Sequence, residues 1–238
     1  MIRKIQKAEA TVIQYGATWV EADAYLREMM TTAAPGGGES IYCPPFDHPD
    51  IWSGNATLIT ELLTDLACEP PKAIIASVGG GGMFCGLQLG LIKNGLPNVP
   101  VIAVETHGAD SLSQSLLAGK NTTIPGITSI ATSLGARRVA DKTLELAQYP
   151  NVRSIVVDDA QAARACVRFA EEERGLVEAA CGASLSVCYE GILKKALPEL
   201  KREDKVVVIV CGGSNISLSM LEGYRKVYGE PEVDIVAA

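Results

Sequence analysis

The chain has 238 residues, 47% hydrophobic and 21% charged, enough for one large or two small folded domains and unlike disordered or fibrous sequences. Its formal net charge of −7 argues against nucleic acid or an anionic membrane as partner. No apolar run approaches the ~20 residues of a spanning helix and the N-terminus lacks a signal-type apolar stretch, so a soluble cytoplasmic protein is expected. The seven cysteines, Cys43, Cys68, Cys85, Cys166, Cys181, Cys188 and Cys211, are odd in number and scattered. With no C-x-x-C pair and two histidines, neither a disulfide framework nor a zinc site is expected.

In chain order, residues 1–7 read as a basic helical turn or two, 10–16 as a strand and 19–30 as a helix. Residues 31–40, with Pro35 and three glycines after it, form a loop and a candidate boundary. The proline-fixed stretch 41–49 cannot be an interior strand or helix. A helix is predicted over 55–66, with Leu58, Leu62 and Leu66 on one side. Then come a strand at 73–78, a helix from Met83 through Leu91, a strand at 101–105, a helix at 111–117 and a loop at 119–128. The pattern continues with a helix near 142–148, a strand at 154–157 and a helix at 158–173 capped by Asp158 or Asp159. One helix over about 182–195, a strand at 205–210 and a last helix at 216–227 complete the chain. Strands alternating with helices predict an α/β protein with a parallel sheet covered by helices on both faces.

The segment 73–91 stands out. A short apolar strand runs directly into Gly79, Gly80, Gly81 and Gly82, and a helix follows. Residues without Cβ let the backbone take positive φ and approach a ligand closely, while the helix adds unpaired amides and the positive end of its dipole. This is the chemistry of an anion site, most plausibly for phosphate. The spacing fails the dinucleotide pattern, because Phe84 and Cys85 stand where a small residue is needed in the two registers. It also fails the nucleoside-triphosphate loop, because Leu87 and Gln88 follow Gly86 where Lys and Ser/Thr are needed. The alternative is a glycine turn that only permits close packing of helix on sheet.

A second turn repeats the logic. The apolar run from Val206 ends in Cys211, and Gly212-Gly213-Ser214-Asn215 opens another helix. In open parallel sheets ligands bind beyond the carboxyl ends of strands, so two such turns on neighbouring strands can face one ligand. Two unrelated tight turns would read the same way.

Several motifs together resemble one family. Ser77-Val78 before the four glycines, Cys85-Gly86, Pro45-Phe46-Asp47 with Gly54 and Glu61, and Val104-Glu105-Thr106-His107-Gly108-Ala109 fall in its order and spacing. So do Leu176-Val177-Glu178 with Cys181-Gly182-Ala183, and Cys211-Gly212-Gly213-Ser214-Asn215. The chain resembles the L-serine/L-threonine dehydratases, pyridoxal 5′-phosphate enzymes of the tryptophan-synthase β type. The cysteine before the second glycine pair points to the eukaryotic-type serine dehydratases. The resemblance implies that Gly79, Gly80, Gly81 and Gly82 hold the cofactor phosphate through backbone amides, and that Cys211, with Gly212 behind it, faces the pyridine nitrogen. A neutral thiol there makes a weaker electron sink than a carboxylate would, suited to β-elimination. It further implies a monovalent-cation site, potassium or sodium, formed by Glu105, the Ser111 side chain and backbone carbonyls around Gly79, Ala109, Leu134 and Ala136. The implied reaction is deamination of L-serine to pyruvate, or of L-threonine to 2-oxobutanoate, by a homodimer. Glu178-Ala179 departs from the Glu-Pro expected of the family.

A larger departure concerns the N-terminal portion. The family carries there a Ser-x-Lys segment whose lysine holds the cofactor covalently and a Ser-x-Gly-Asn loop for the substrate carboxylate, and neither is present here. Residues 1–49 are therefore expected to be the remnant of a small substrate-side domain, and 50–238 the large cofactor-binding domain. Three readings follow: a shortened and by itself inactive dehydratase, a non-catalytic or regulatory homologue that binds a phosphorylated ligand, and a nicotinamide-dependent oxidoreductase with Glu105 as the ribose-binding acid. The failed glycine spacing weighs against the last. A sheet cut short is expected to expose a strand edge and to associate.

Overall fold

The computed structural model describes residues 2–31 and 40–229, which fall into two compact units meeting between Pro45 and Phe46. The glycine-rich segment 32–39 predicted as a loop lies outside the described residues. The first unit holds α1 (Ile2–Lys7) and α2 (Trp19–Thr31), neither with a buried residue. The strand predicted at 10–16 does not form. Residues 10–15 are irregular, with Ile13 and Tyr15 exposed and no strand paired to them among the described residues. Alternating apolar residues make a strand only when a neighbour supplies the ladder. Local contacts order this unit instead: the Tyr15 and Tyr25 rings stack 4.0 Å apart, and Arg27 lies 4.1 Å over the Tyr42 ring while bonding Asp23.

The second unit opens with α3 (Pro49–Asp65), which starts six residues before the predicted helix. Pro49 lacks an amide that the first turn would leave unpaired, and His48 Nδ1 accepts the Asp50 amide at 3.2 Å, so a proline read as a breaker is a helix start. Then follow β1 (Ala73–Ser77), α4 (Gly82–Lys93), β2 (Val101–Thr106), α5 (Ser111–Ala118), a 3₁₀ turn at Thr132–Leu134, α6 (Asp141–Ala147), β3 (Val152–Val157) and α7 (Asp159–Glu173). Asp158 caps α7 in a capping box with Gln161. The single helix predicted over 182–195 is two, α8 (Ala179–Tyr189) and α9 (Ile192–Ala196), because Gly191 between them takes a left-handed φ of 69°. β4 (Val206–Val208) and α10 (Leu218–Tyr228) complete the unit.

The four strands are parallel in the order β3-β2-β1-β4. The chain moves outward from β1 to β3 and returns to pair β4 with β1. Side chains alternate between faces, and the core divides accordingly. Ile74, Ala76, Val101 and Ala103 pack with Phe84 and Leu87 of α4, Leu112 of α5 and Leu144 of α6. Ala73, Ile75, Ile102 and Val104 pack with Ala180, Ala183 and Val187 of α8. Both faces are covered, which is why β1 and β2 read as unbroken apolar runs. No helix among the described residues is long and apolar enough to cross a membrane.

Glycines set the layer spacing on the α4 side. A Cβ at Gly86 would run into Asn55 and the Trp52 carbonyl, and one at Gly90 would meet Ile59, so α3 packs on α4 nearly backbone to backbone. At the end of β2, Glu105 is fully buried and accepts the amides of Leu112 and Ser113 at 2.8 and 2.7 Å, capping α5. Burial pushes its pKa up to about 8 against the pull of those two donors.

Two outcomes are expected. Gly86→Ala loses about 1–3 kcal/mol from overpacking despite the better helix propensity of alanine. Gly223→Ala in α10, where a Cβ meets open space, is neutral or gains up to about 1 kcal/mol, and urea unfolding distinguishes the two. Because Glu105 binds a proton more tightly folded than unfolded, its contribution is complete below the ordinary value of 4.5 and is lost as pH rises through about 8. Unfolding titrations in a large organic cation buffer should show this fall in the wild type and a flatter profile in Glu105→Gln.

Candidate functional site

The return of β4 to the side of β1 brings two strand ends together at the point where strand order reverses, the position at which open parallel sheets bind ligands. From β1 comes the glycine loop. Its glycines are explained first by packing. Gly79 lies against Leu134, a Cβ at Gly80 would enter the Phe46 ring, Gly81 has φ 97° and faces Thr143, and Gly82 abuts the Phe46 backbone. The close-packing alternative therefore holds for the missing side chains. The loop's polar groups point to a second property. The Gly80 carbonyl is taken by the Ala140 amide at 3.0 Å and the Thr143 hydroxyl at 3.2 Å, whereas the first-turn amides of α4 have no helical acceptor. Gly79, Gly80 and Met83 remain half-buried, open to a ligand. Phe46 was marked in the sequence only as part of a motif and Thr143 not at all, since each reaches the loop through tertiary packing.

From β4 comes the second turn. Gly212 and Gly213 take φ values of 73° and 92°, and Cys211 is exposed with its Sγ 3.5 Å from Met83 Sδ, so the two turns meet across the head of α4. Partial burial, then Cys181, then Glu178 push the Cys211 thiol above its ordinary value, which keeps it protonated at neutral pH. The pairing of Met83 with Cys211 was not legible in the sequence. Helical spacing read Met83 only as the start of the helix.

Of the six residues assigned to a cation, Gly79, Leu134, Ala136 and Ser111 are linked by contact, while Glu105 and Ala109 flank the start of the same helix. Ser111 Oγ donates to the Ala136 carbonyl at 2.8 Å, the Ala136 amide donates to the Leu134 carbonyl at 2.8 Å, and Gly79 touches Leu134. Ala109 is buried, its amide on the Thr106 carbonyl at 2.8 Å, and Glu105 caps the helix that Ser111 begins. Among the described residues no three His, Cys, Asp or Glu side chains are grouped to hold a metal. Any ion here would be held by oxygens, most of them backbone.

The lysines of this unit are paired or exposed, and Lys142 adjoins Thr143 beside the glycine loop. The Lys72 amide bonds the Lys205 carbonyl at the amino ends of β1 and β4, Lys205 Nζ pairs with Glu69, and Lys142 Nζ pairs with Glu145 at 2.6 Å. Lys93, Lys120, Lys194, Lys195, Lys201 and Lys226 are exposed.

A family model described as pyridoxal-phosphate dependent enzyme matches residues 1–212. A serine dehydratase-like protein of Rattus norvegicus is 45% identical over 93% of this chain and 67% of its own length. An L-serine dehydratase of Saccharomyces cerevisiae is 40% identical over 90% of this chain and 66% of its own. The crystal structure of a fungal L-serine ammonia-lyase from Rhizomucor miehei superposes with a TM-score of 0.87 at 42% identity, covering 95% of this chain and 70% of that one. The chain thus spans about two thirds of the length of the relatives it matches. With a parallel sheet, a glycine loop and a family match over most of its length, the chain belongs to the pyridoxal-phosphate dependent enzymes, among relatives of the serine dehydratases.

Proposed function

We propose that this chain carries the cofactor-binding part of an L-serine dehydratase, which converts L-serine to pyruvate and ammonia and L-threonine to 2-oxobutanoate and ammonia. The observation that supports it most directly is the meeting of the two glycine turns across Met83, which sets free helix-start amides and a protonated thiol beside each other. These groups fit pyridoxal 5′-phosphate: amides and a helix dipole for a dianion, a neutral partner for a ring nitrogen. When bound, the cofactor would supply a conjugated ring that accepts the electron pair released at the substrate α-carbon. The amides of Gly79, Gly80, Gly81, Gly82 and Met83 would hold the phosphate. Cys211, carried on the turn with Gly212, would orient the ring and leave its nitrogen without a full positive charge, which favours loss of the β-hydroxyl over transfer of the amino group.

Proton transfer at the α-carbon needs a base, and the amines of Lys142 and Lys205 are held in ion pairs with Glu145 and Glu69. We read residues 1–49 as the remnant of a small domain and 50–238 as the cofactor domain, with turnover dependent on a Ser-x-Lys lysine that these residues do not contain. Glu105, Ser111 and the carbonyls of Gly79, Ala109, Leu134 and Ala136 form the proposed potassium or sodium site, which would steady the end of β2 next to the phosphate loop. A cytoplasmic homodimer completes the reading.

Absorbance titration tests the cofactor assignment. Saturable binding of pyridoxal 5′-phosphate is expected, with pyridoxal bound at least about a hundredfold more weakly, since each charge-assisted hydrogen bond to phosphate contributes roughly 1.5–3 kcal/mol. Equal affinity for both compounds would remove the glycine loop from the site. Borohydride reduction followed by intact mass should trap no lysine adduct, and serine and threonine turnover should return only when the lysine-bearing segment is supplied. For the ion, thermal unfolding in potassium or sodium should lie above that in a large organic cation, and Glu105→Gln should abolish the difference.

A further inference from the structure

Glu178 stands at the N-cap of α8 with extended backbone, φ −78° and ψ 163°, yet its side chain makes no capping hydrogen bond to its own helix. It is turned toward the second glycine turn and meets it at three points. Its amide donates to the Gly212 carbonyl at 2.8 Å. Its Oε2 accepts the Asn215 amide at 3.0 Å. Its Cγ and Cδ lie so close over Gly213 that a Cβ there would overlap them. An N-cap carboxylate ordinarily satisfies the first amides of its own helix, so one directed to another segment serves that segment. Asn215 closes the far side of the turn through Nδ2, which donates to Thr132 Oγ1 at 3.2 Å.

We propose that Glu178 is a positioning residue of the site: it clamps the turn 211–215 so that the Cys211 thiol is presented beside Met83 at the head of the glycine loop. The role rests on the reading of Cys211 as the ring-facing group. Glu178 adds to the turn's own bond, from the Gly213 amide to the Cys211 carbonyl at 2.9 Å, a hold on a segment whose two glycines are in left-handed conformation. The carboxylate has an electrostatic effect as well. The titratable groups around Cys211 are Cys181 and Glu178, and both favour the protonated thiol after burial has done so. Met83 on the other side brings a thioether without charge. The amides of Cys211 and Gly212 lie toward the Cys181 thiol of α8 and oppose the rise that burial gives it.

The test follows alkylation of Cys211 by iodoacetamide against pH, read by peptide mass spectrometry on the full chain, with exposed Cys188 as internal reference. Glu178→Gln keeps an acceptor for Asn215 but removes the charge. The Cys211 titration should move down toward the ordinary thiol value and its alkylation near about pH 8 should become several-fold faster, while Cys188 is unchanged. Glu178→Ala should give the same downward movement and, in addition, faster hydrogen exchange at the Asn215 amide, which Glu178→Gln should not. An unchanged Cys211 profile in both variants, or Cys188 and Cys211 accelerating together, would overturn the proposal. Pyridoxal 5′-phosphate binding by the wild type is measured separately. Failure to bind with an intact Cys211 response refutes the functional reading alone, and binding without that response refutes the role of Glu178 alone.

Discussion

Everything at the candidate site depends on the pairing of β4 with β1. Had the chain continued outward from β3, the Cys211 turn would lie at the far side of the sheet from the glycine loop. The ladder of Ala73, Ile74 and Ile75 with Val206, Val207 and Val208 prevents this and sets Met83 and Cys211, 128 positions apart in sequence, within contact. The same return forces the helices after β3 onto the opposite face, because crossovers between parallel strands keep one hand. The two cores, one under α4 and one under α8, are the consequence. Fold and site are two results of one reversal.

The glycine loop shows how packing and binding can be served by the same residues. Close approach of Phe46, Thr143 and Leu134 removes every side chain from the loop. Once the Gly80 carbonyl has been drawn into the protein by Ala140 and Thr143, the loop is left with donors that have no internal use. Unpaired donors at a helix start are costly when buried dry and favourable when they meet an anion, so the same glycines that permit tight packing also leave amides of the kind an anion needs. Glu105 faces the corresponding problem with the opposite sign: a carboxyl in the core, tolerated because the start of α5 gives it two amides.

What could be read from the sequence was whatever depends on neighbours in the chain. Apolar runs at 73–78 and 101–105 gave strands, and Met83, Leu87 and Leu91 gave the helix between them. The cap of α7 was legible to within one residue, Asp158 or Asp159, and the structure settles on Asp158, whose partner Gln161 is three residues on. Errors fell where distant parts decide. Residues 10–16 alternate like a strand, but a strand exists only when something pairs with it. Pro49 was read for what it forbids, although a missing amide is harmless in a first turn. Gly191 splits a helical pattern that is apolar on both sides, and nothing within the pattern marks it as left-handed. At the site, both glycine turns could be found by inspection, and the motif resemblance supplied Glu105. The contacts that give them shape, from Phe46, Thr143, Met83 and Glu178, could not.

The strand that delivers Cys211 is also the end of the described sheet. None of its three ladder residues is fully buried, and Ile209, just past them, turns its amide inward to the Ile75 carbonyl at 2.9 Å. By alternation, the amides of Val208 and Val210 face away from β1. A strand so lightly held owes much of its order to whatever lies on its flanks. Anything that orders the turn on one side therefore also orders the edge on the other, because both belong to the same short strand.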